Sequence, residues 1–588
     1  MLRWSGTLRT LRALRTQRAL YAALLVARVL LALSPGYIHP DEFFQAGEVA
    51  GGDILGVDSV RTWEFSEDAP IRSIVPIYLY AGLPLALVRL LMGGHVSAYK
   101  AFAAQRLFMV LVSVAVDWLI GSAIRRRHPN ARLLPTALLV ASSHAMAVFH
   151  ARTFGNAFAS ATLALCFDQL ALLDHVLGTK DPSSERGLAV FRALAALAAA
   201  GVVGIFTHIT FVPFFAPLAL AAAALVVSAI WNRILPVGQA VRAVGAACIS
   251  AMVAALLIMV ADSAYYGSLN GRVPGHLTCT VLNNLRYNSR AANLATHGLH
   301  PWYLHVVASL PILFGPLYLL GLRRLWTAIR RHHPHNDHGC LSLTALWSAT
   351  MGVAVLSLVP HQEPRFLLPA LPAIVLATWR WHRLLPAVFW HSWAIYNMVL
   401  ALIYGTVHQA GVVPAMRFLA DTAVAHRLAC HPVIGGNMVC AHNQPDNGSV
   451  YPALRTRVLL HATYMAPRHL LVQHRDGVQA RVEITDLVSM DDDAILTLLR
   501  AAVPVDCNAV PGADLNGLVF APSTDTRGLY ERTLLVVPAS ATLPLSFGRL
   551  RLLHSFGPHV NFDHIQTVVR NPRKYARLNV YLVCAQLL

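Results

Sequence analysis

What most constrains this chain is the bunching of its apolar residues into runs about as long as a bilayer core is thick, separated by short arginine-rich breaks. A helix needs about 20 predominantly apolar residues to cross roughly 30 Å of hydrocarbon. Windows of about 19 residues find such runs at 19–33, 74–93, 106–124, 133–150, 157–177, 188–207, 209–231, 243–261, 303–321, 340–358, 366–380 and 384–405. Of the 588 residues, 56% are hydrophobic and only 13% charged, against about 25% charged in a soluble domain. The expected fold class is an α-helical polytopic membrane protein, with the lipid bilayer as its first partner. The net charge of +18 comes from loop arginines that form no continuous basic face, so no nucleic-acid partner is expected. Eight cysteines without a Cys-x-x-Cys pair supply neither a zinc motif nor a thioredoxin-like one.

Orientation follows from the positive-inside rule. Residues 1–18 carry Arg3, Arg9, Arg12, Arg15 and Arg18 and no acid, which reads as a cytosolic basic N-terminus. Pro35-Gly36-Tyr37 is not a small-residue cleavage site, so the first run reads as a retained anchor. Counting 74–93 as a full span puts the Arg125–Arg127 and Arg323–Arg331 breaks on the non-cytosolic side. If that run, interrupted by Pro76, Pro84 and Arg89, lies in the interface instead, the breaks at 125–132, 178–187, 232–242, 322–338 and 379–383 all become cytosolic. About eleven spans are therefore expected in a module over 19–406. Segments 34–105, 151–156, 262–302 and 359–365 then share the luminal side with a tail over 407–588.

That tail reads as a mixed α/β luminal domain. It has turn signals at Gly435-Gly436, Pro445–Gly448 and Asp476-Gly477, and β-rich stretches at Thr533–Val537 and Leu578–Val583. Asn447-Gly448-Ser449 is the single N-glycosylation sequon. Cys430, Cys440, Cys507 and Cys584 share the tail, with Cys430–Cys440 as one candidate disulfide and free buried thiols as the alternative.

Two polar motifs sit where spans end. His39-Pro40-Asp41-Glu42-Phe43-Phe44-Gln45 follows the first run. Its plain reading is a helix start, with Pro in the first turn and acids where the helix dipole favours them. Its chemical reading is a carboxylate near the membrane surface, held toward the bilayer by Phe43 and Phe44, that acts as general base on a hydroxyl meeting a lipid-borne donor. His361-Gln362-Glu363-Pro364-Arg365-Phe366 reads either as an interfacial pair that snorkels or as an anion site, Arg365 offering a two-donor fork to phosphate and His361 a further donor. Further luminal candidates are Trp63, Glu64, Arg72, Arg152, Asn156, Tyr266 and the polar stretches 283–288 and 293–300. The histidines between His332 and His338 do not share a helical face and Pro334 interrupts them, so no metal site is expected.

His39–Glu42 after the first span, Trp63-Glu64-Phe65 followed by Ile71-Arg72-Ser73, Arg152-Thr153-Phe154-Gly155-Asn156, and His361–Phe366 resemble the glycosyltransferase family 22 mannosyltransferases of the endoplasmic reticulum, over about residues 19–405. Gln362 stands where most members carry Lys. His39–Gln45 together with Asn293–Pro301 is similar to the branch that adds a fourth, side-branch mannose to the GPI-anchor precursor. The resemblance implies a GT-C fold, no cofactor, dolichyl phosphate mannose as lipid donor and the GPI-precursor glycolipid as acceptor. It implies inverting transfer to the 2-hydroxyl of the third mannose, in α1,2 linkage, on the luminal face of the endoplasmic reticulum membrane. Asp41 is then the base, with Glu42 supporting it or binding acceptor hydroxyls. His361 and Arg365, with Arg72, hold the donor phosphate. His39, Gln45, Trp63, Glu64, Arg152, Asn156, Tyr266, Gln362 and Glu363 contact substrate. The alternatives are another dolichyl-phosphate-mannose dependent transferase, of the third GPI mannose or of the N-glycan precursor, and a polytopic transporter. Asp117, Asp168 and His208 lie within spans as a transporter's ionisable groups do, but no internal repeat accompanies them.

Overall fold

In a computed structural model of the chain the described residues are 2–94, 96–179, 185–270, 277–330, 339–423, 428–433, 436–441, 450–474, 479–488, 490–501, 505, 518–523, 528–541 and 550–584. They fall into two compact units. One comprises Met1–Leu33, Thr62–Ala81 and Arg106–Ala401, the other Ser34–Arg61, Gly82–Gln105 and Leu402–Leu588.

Among the described residues, nine helices are long and apolar enough to cross a membrane. They are α1 (Leu2–Leu33), α2 (Ile74–Leu91), α3 (Ala98–Arg127), α4 (Gly155–Gly178), α5 (Glu185–Thr207), α6 (Ile209–Trp231), α7 (Val237–Tyr265), α8 (Cys340–Leu358) and α9 (Ala387–Val407). The protein is a multi-pass membrane protein. About eleven spans were expected, and the helices differ from the apolar runs in two respects. Run 74–93 is one continuous helical stretch of spanning length, and three other runs are broken. Run 133–150 stops at Ser142 and Ser143, where the Ser142 hydroxyl accepts from the Trp393 indole at 2.8 Å and the backbone N–H of His144 donates to Asn397 at 2.8 Å. Run 303–321 breaks at Gly315, whose φ of +46° lies in the left-handed region that glycine tolerates. Run 366–380 keeps α-helix only over Ala370–Thr378, between two 3-10 segments.

In the first unit α5 packs along both α4 and α7, and α8 along α6. A small residue allows the close approach of α8 to α6: a Cβ on Gly352 would stand 2.1 Å from the Phe214 ring. The ionisable groups inside the spans are paired, as a low-dielectric setting requires. Arg28 of α1 meets Asp117 of α3 at 3.1 Å, and Tyr21 donates to the same carboxylate at 3.0 Å. Arg126 grips Asp168 of α4 through two bonds of 2.8 Å, and His208 accepts from the Thr210 hydroxyl at 2.8 Å. Asp117 and Asp168, two of the groups that a transporter reading would use, are thus committed to holding helices together, and His208 is bonded within its own turn.

The second unit is built on an eight-stranded mixed sheet: β1 (Ala429–Pro432), β2 (Met438–Ala441), β3 (Ala453–Leu460), β4 (Ala480–Asp486), β5 (Leu518–Pro522), β6 (Leu529–Pro538), β7 (Leu550–Phe556) and β8 (Leu578–Val583). The order is β1-β2-β5-β6-β3-β4, with β8 pairing both β6 and β7. β3 runs parallel to β4 and β6, and β8 antiparallel to β6. β4 alternates buried and exposed residues, as a strand with one packed face must, while β6 is buried from Glu531 to Pro538, as its central place demands. Cys430 and Cys440, opposite one another on β1 and β2, form a disulfide. Gly436, at φ +78°, lies between those strands. The turn signals at 445–448 and 476–477, Cys507, Asn447 and the histidines at 332–338 lie outside the described residues.

A helix at Val412–Ala423 covers the sheet, and its core takes in Tyr37, Phe43, Phe44 and Phe102 beside Val412, Met416, Leu419, Leu470 and Val536. The aromatic pair Phe43 and Phe44 was expected to hold the acidic motif toward the bilayer. Its rings instead enter the apolar core of the C-terminal domain, where the Phe43 ring also lies 6.0 Å from that of His469.

Candidate active site

The residues of the first motif are set by their own turn. Pro40 opens it, and the backbone N–H groups of Glu42, Phe43 and Phe44 donate to His39 and Pro40 carbonyls at 3.0 Å. The two adjacent carboxylates end up in different surroundings. Glu42 is fully buried, and its Oε2 accepts from the Ile38 N–H at 3.4 Å. Asp41 keeps 22% of its side-chain surface open; Gln45 donates to its Oδ2, and His39 Nδ1 lies 3.4 Å from Oδ1. Asp41 is therefore the carboxylate that a substrate can reach, and Glu42 supports the turn. Behind them the buried Tyr37 ring meets Phe43 edge-on at 4.8 Å, and its hydroxyl donates to the Met465 carbonyl at 3.2 Å. Burial, with Glu42, Asp41 and Glu48 nearby, holds the Tyr37 phenol well above its ordinary range, so it stays a neutral donor.

A pair that sequence reasoning missed fixes this turn from below. Glu48 and His469 are both fully buried, and His469 Nδ1 lies 2.8 Å from Glu48 Oε1, which also accepts from the His469 N–H at 3.0 Å. Glu48 Oε2 accepts from Val60 at 2.7 Å. Gly47 and Gly51 leave the room for this ring: a Cβ there would stand 2.8 and 2.7 Å from His469 atoms.

The second motif forms a cluster in the first unit. Glu363 lies between two cations, with His361 Nε2 at 3.0 Å from Oε1 and Arg365 Nε donating to Oε2. The hydrogen bond from Glu363 is the main cause raising the His361 imidazole above its ordinary 6.5; burial opposes it. Protonated His361, Arg365 and Glu363 together carry one net positive charge, which suits an anion. The Arg365 guanidinium also lies 5.8 Å from the Phe154 ring and 5.5 Å from that of Phe366. Gln362 is buried and structural, its amide joining the Ser357 carbonyl at 3.0 Å to the His305 N–H at 3.3 Å.

Glu64 and Arg72 pair with each other, Arg72 Nε and Nη2 reaching Oε1 at 2.9 and 2.7 Å. Tyr266 donates to the Arg72 carbonyl at 2.8 Å. Asp262 of α7 holds the next residues, accepting from Ser73 Oγ at 3.0 Å and the Ile74 N–H at 2.9 Å. The Arg72 fork is thus occupied by a carboxylate, which makes it a weaker phosphate ligand than the sequence suggests. Trp63 stacks on Tyr287 at 4.4 Å and on His297 at 5.5 Å, and Tyr287 bonds His297 at 2.9 Å. His297 in turn neighbours His361 at 5.6 Å between ring centroids. The polar stretches at 283–288 and 293–300, flagged as luminal candidates, contain both of these residues. Arg152 is buried with Nη1 3.5 Å from the Leu31 carbonyl. Asn156, in the first turn of α4, is buried, and its side-chain amide has no partner among the described residues.

The family profile of the Alg9-like mannosyltransferases matches residues 19–471, more than half of the chain. The chain belongs to the Alg9-like mannosyltransferase family. It is accordingly a glycosyltransferase. This mannosyltransferase is 30% identical over 566 residues to "GPI mannosyltransferase 4" of Aspergillus oryzae, covering 93% of this chain and 94% of that one. It is 30% identical over 514 residues to the human "GPI alpha-1,2-mannosyltransferase 4", covering 82% and 81%. Among solved structures it is similar to ArnT from Cupriavidus metallidurans bound to undecaprenyl phosphate, at 13% identity and a TM-score of 0.47, over 97% of this chain and 99% of that one. So distant a likeness decides no detail of fold or chemistry. The family match runs beyond the expected limit near 405 and ends just past His469, so it takes in the partner of Glu48. Motif reading stopped at 405 because the tail carries none of the motifs on which the resemblance rests.

Proposed function

We propose that this mannosyltransferase moves mannose from dolichyl phosphate mannose to the third mannose of the GPI-anchor precursor, in α1,2 linkage with inversion, on the luminal face of the endoplasmic reticulum membrane, and that its membrane part has the GT-C architecture. The observation that carries the chemistry is Asp41, the open carboxylate of an acidic pair whose other member is buried. Acceptor and linkage rest on the near full-length likeness to enzymes bearing those names.

In this mechanism the acceptor 2-hydroxyl attacks the anomeric carbon of the donor from the face opposite the phosphate, the opposed arrangement that inversion requires. Asp41 takes the hydroxyl proton as the new bond forms, while Gln45 and His39 hold the carboxylate in place. Dolichyl phosphate leaves with the electrons of the broken bond. The His361–Glu363–Arg365 cluster stabilises the charge that grows on it. A monophosphate neutralised in this way calls for no divalent cation, and no cofactor is proposed. Trp63, backed by Tyr287 and His297, gives a rigid ring of the kind that receives the apolar face of a sugar.

A reconstituted assay tests the reading. The enzyme in liposomes receives labelled dolichyl phosphate mannose and a GPI precursor with three mannoses, and the product is digested with an α1,2-specific mannosidase. Release of the label supports the proposal. Label that resists the enzyme, or equal transfer from a sugar nucleotide in the absence of the lipid donor, would overturn it.

A further inference from the structure

Three consecutive arginines end α3, and their fates differ. Arg126 is bound by Asp168, and Arg127 meets Asp174 at 3.5 Å. Arg125 has no hydrogen bond or ion pair among the described residues and is exposed. It borders a cavity of about 290 Å³ whose walls include Val114, Trp118, Ile120, Leu133, Ala137 and Val140. Trp118 is 61% exposed, so the cavity opens at the outer surface of the helices. At Gly121 a Cβ would stand 3.6 Å from both Arg125 Nη2 and Leu133 Cδ1, so the guanidinium and an apolar wall of the cavity meet at this glycine. The other charge in the lining, Asp117, is already held by Arg28 and Tyr21. The cavity's remaining charge is thus one unpaired positive group beside an apolar hollow.

We propose that this cavity seats one anionic phospholipid of the bilayer, its phosphate on Arg125 and an acyl chain along Trp118, Leu133 and Val140. The pairing follows from charge and shape. A basic group between membrane helices attracts an anionic head group, and an unneutralised guanidinium favours a head group of net negative charge over a neutral zwitterion. None of these residues has a part in the transfer chemistry, so the site is a structural lipid seat whose existence is independent of the proposed acceptor.

Native mass spectrometry tests the assignment. The purified full-length enzyme is equilibrated with equimolar phosphatidylserine and phosphatidylcholine of distinguishable mass. The expected result is one retained phosphatidylserine per chain. Arg125→Gln should cut that retention at least about fivefold, the scale of one charge-assisted hydrogen bond. Gly121→Leu keeps the arginine, suits a helix better than glycine and fills the cavity, so it should lower retention as well. Arg132→Gln removes a neighbouring charge that is not part of the lining and should leave retention unchanged. Equal retention of both lipids, loss in Arg132→Gln equal to that in Arg125→Gln, undiminished retention in either cavity variant, or displacement of the phospholipid by dolichyl phosphate would each overturn the proposal.

Discussion

Glu363 accepts from His361 at 3.0 Å and from Arg365, so the geometry of one carboxylate orients both candidate phosphate ligands. Replacing Arg365 by Lys keeps the charge and removes the planar fork, which Lys cannot reproduce. The expected loss is about 1–3 kcal/mol, roughly 5- to 150-fold, in donor KM, kcat or both, with acceptor affinity nearly unchanged. Steady-state kinetics with both substrates decide it, and wild-type values would return Arg365 to a membrane-anchoring role. His361 predicts a pH effect of definite sign. Its pKa is raised above 6.5 chiefly by the Glu363 hydrogen bond, so the protonated form persists to higher pH and is lost as pH climbs through the raised value. The pH profile of kcat/KM for the donor should therefore fall on its basic side above 6.5, and Glu363→Gln should move that fall to lower pH. An unmoved limb in that variant would assign it to another group. Both polar motifs were legible because they are contiguous and stand at the ends of apolar runs. Glu48 and His469 were not, because 421 residues separate them and each looks ordinary in its own segment.

At the scale of elements, the turn carrying Asp41 is held by segments of the second unit rather than by lipid. Tyr37, Phe43 and Phe44 belong to the same core as the helix at Val412–Ala423, and His469 fits against Gly47 and Gly51. His469→Ala removes the ring and leaves the buried Glu48 carboxylate short of a partner, at a cost of about 1–3 kcal/mol. Thermal unfolding in detergent, followed by tryptophan fluorescence, should show a lower Tm for this variant; a Tm equal to wild type would mean that the pair contributes nothing to the fold. Hydropathy located the helices well and their interruptions badly. An average over 19 residues passes smoothly across Ser142-Ser143, Gly315 and Pro369, where side-chain hydrogen bonds and backbone angles end a helix without lowering its apolar content. Reading Pro76, Pro84 and Arg89 as interruptions gave them too much weight, since α2 runs through them. The strands were visible where β-branched residues cluster, as in β6 and β8, and invisible in β1 and β2.

For the molecule as a whole, sidedness is the property on which the luminal chemistry depends. The positive-inside rule, applied to the arginine-rich breaks, predicts residue 132 in the cytosol and the tail in the lumen. Asn447 should therefore carry an endoglycosidase-sensitive glycan, and a cysteine replacing Arg132 should react with an impermeant reagent in cells opened only at the plasma membrane. Reaction at 132 only after the lumen is opened would mean that α2 crosses the bilayer and reverses the expected parity. The general architecture, a polytopic helical part followed by a mixed α/β domain, was legible from composition and turn signals. The grouping of 34–61 and 82–105 with Leu402–Leu588 was not, since it depends on aromatic residues whose partners are hundreds of positions away. The central claim, that Asp41 is the base of a transferase making a four-mannose GPI precursor, has one direct test. Purified wild-type enzyme and Asp41→Asn are each supplied with labelled dolichyl phosphate mannose and the three-mannose precursor, and products are resolved by mannose number. Asn preserves the shape of the side chain and cannot take the proton, so label should enter a four-mannose species with wild type and fall about 100- to 10,000-fold with the variant, at equal yield and Tm. An Asp41→Asn enzyme retaining more than about a tenth of the activity, a loss smaller than removal of a general base causes, or wild-type label in any product other than the four-mannose precursor, would contradict the account.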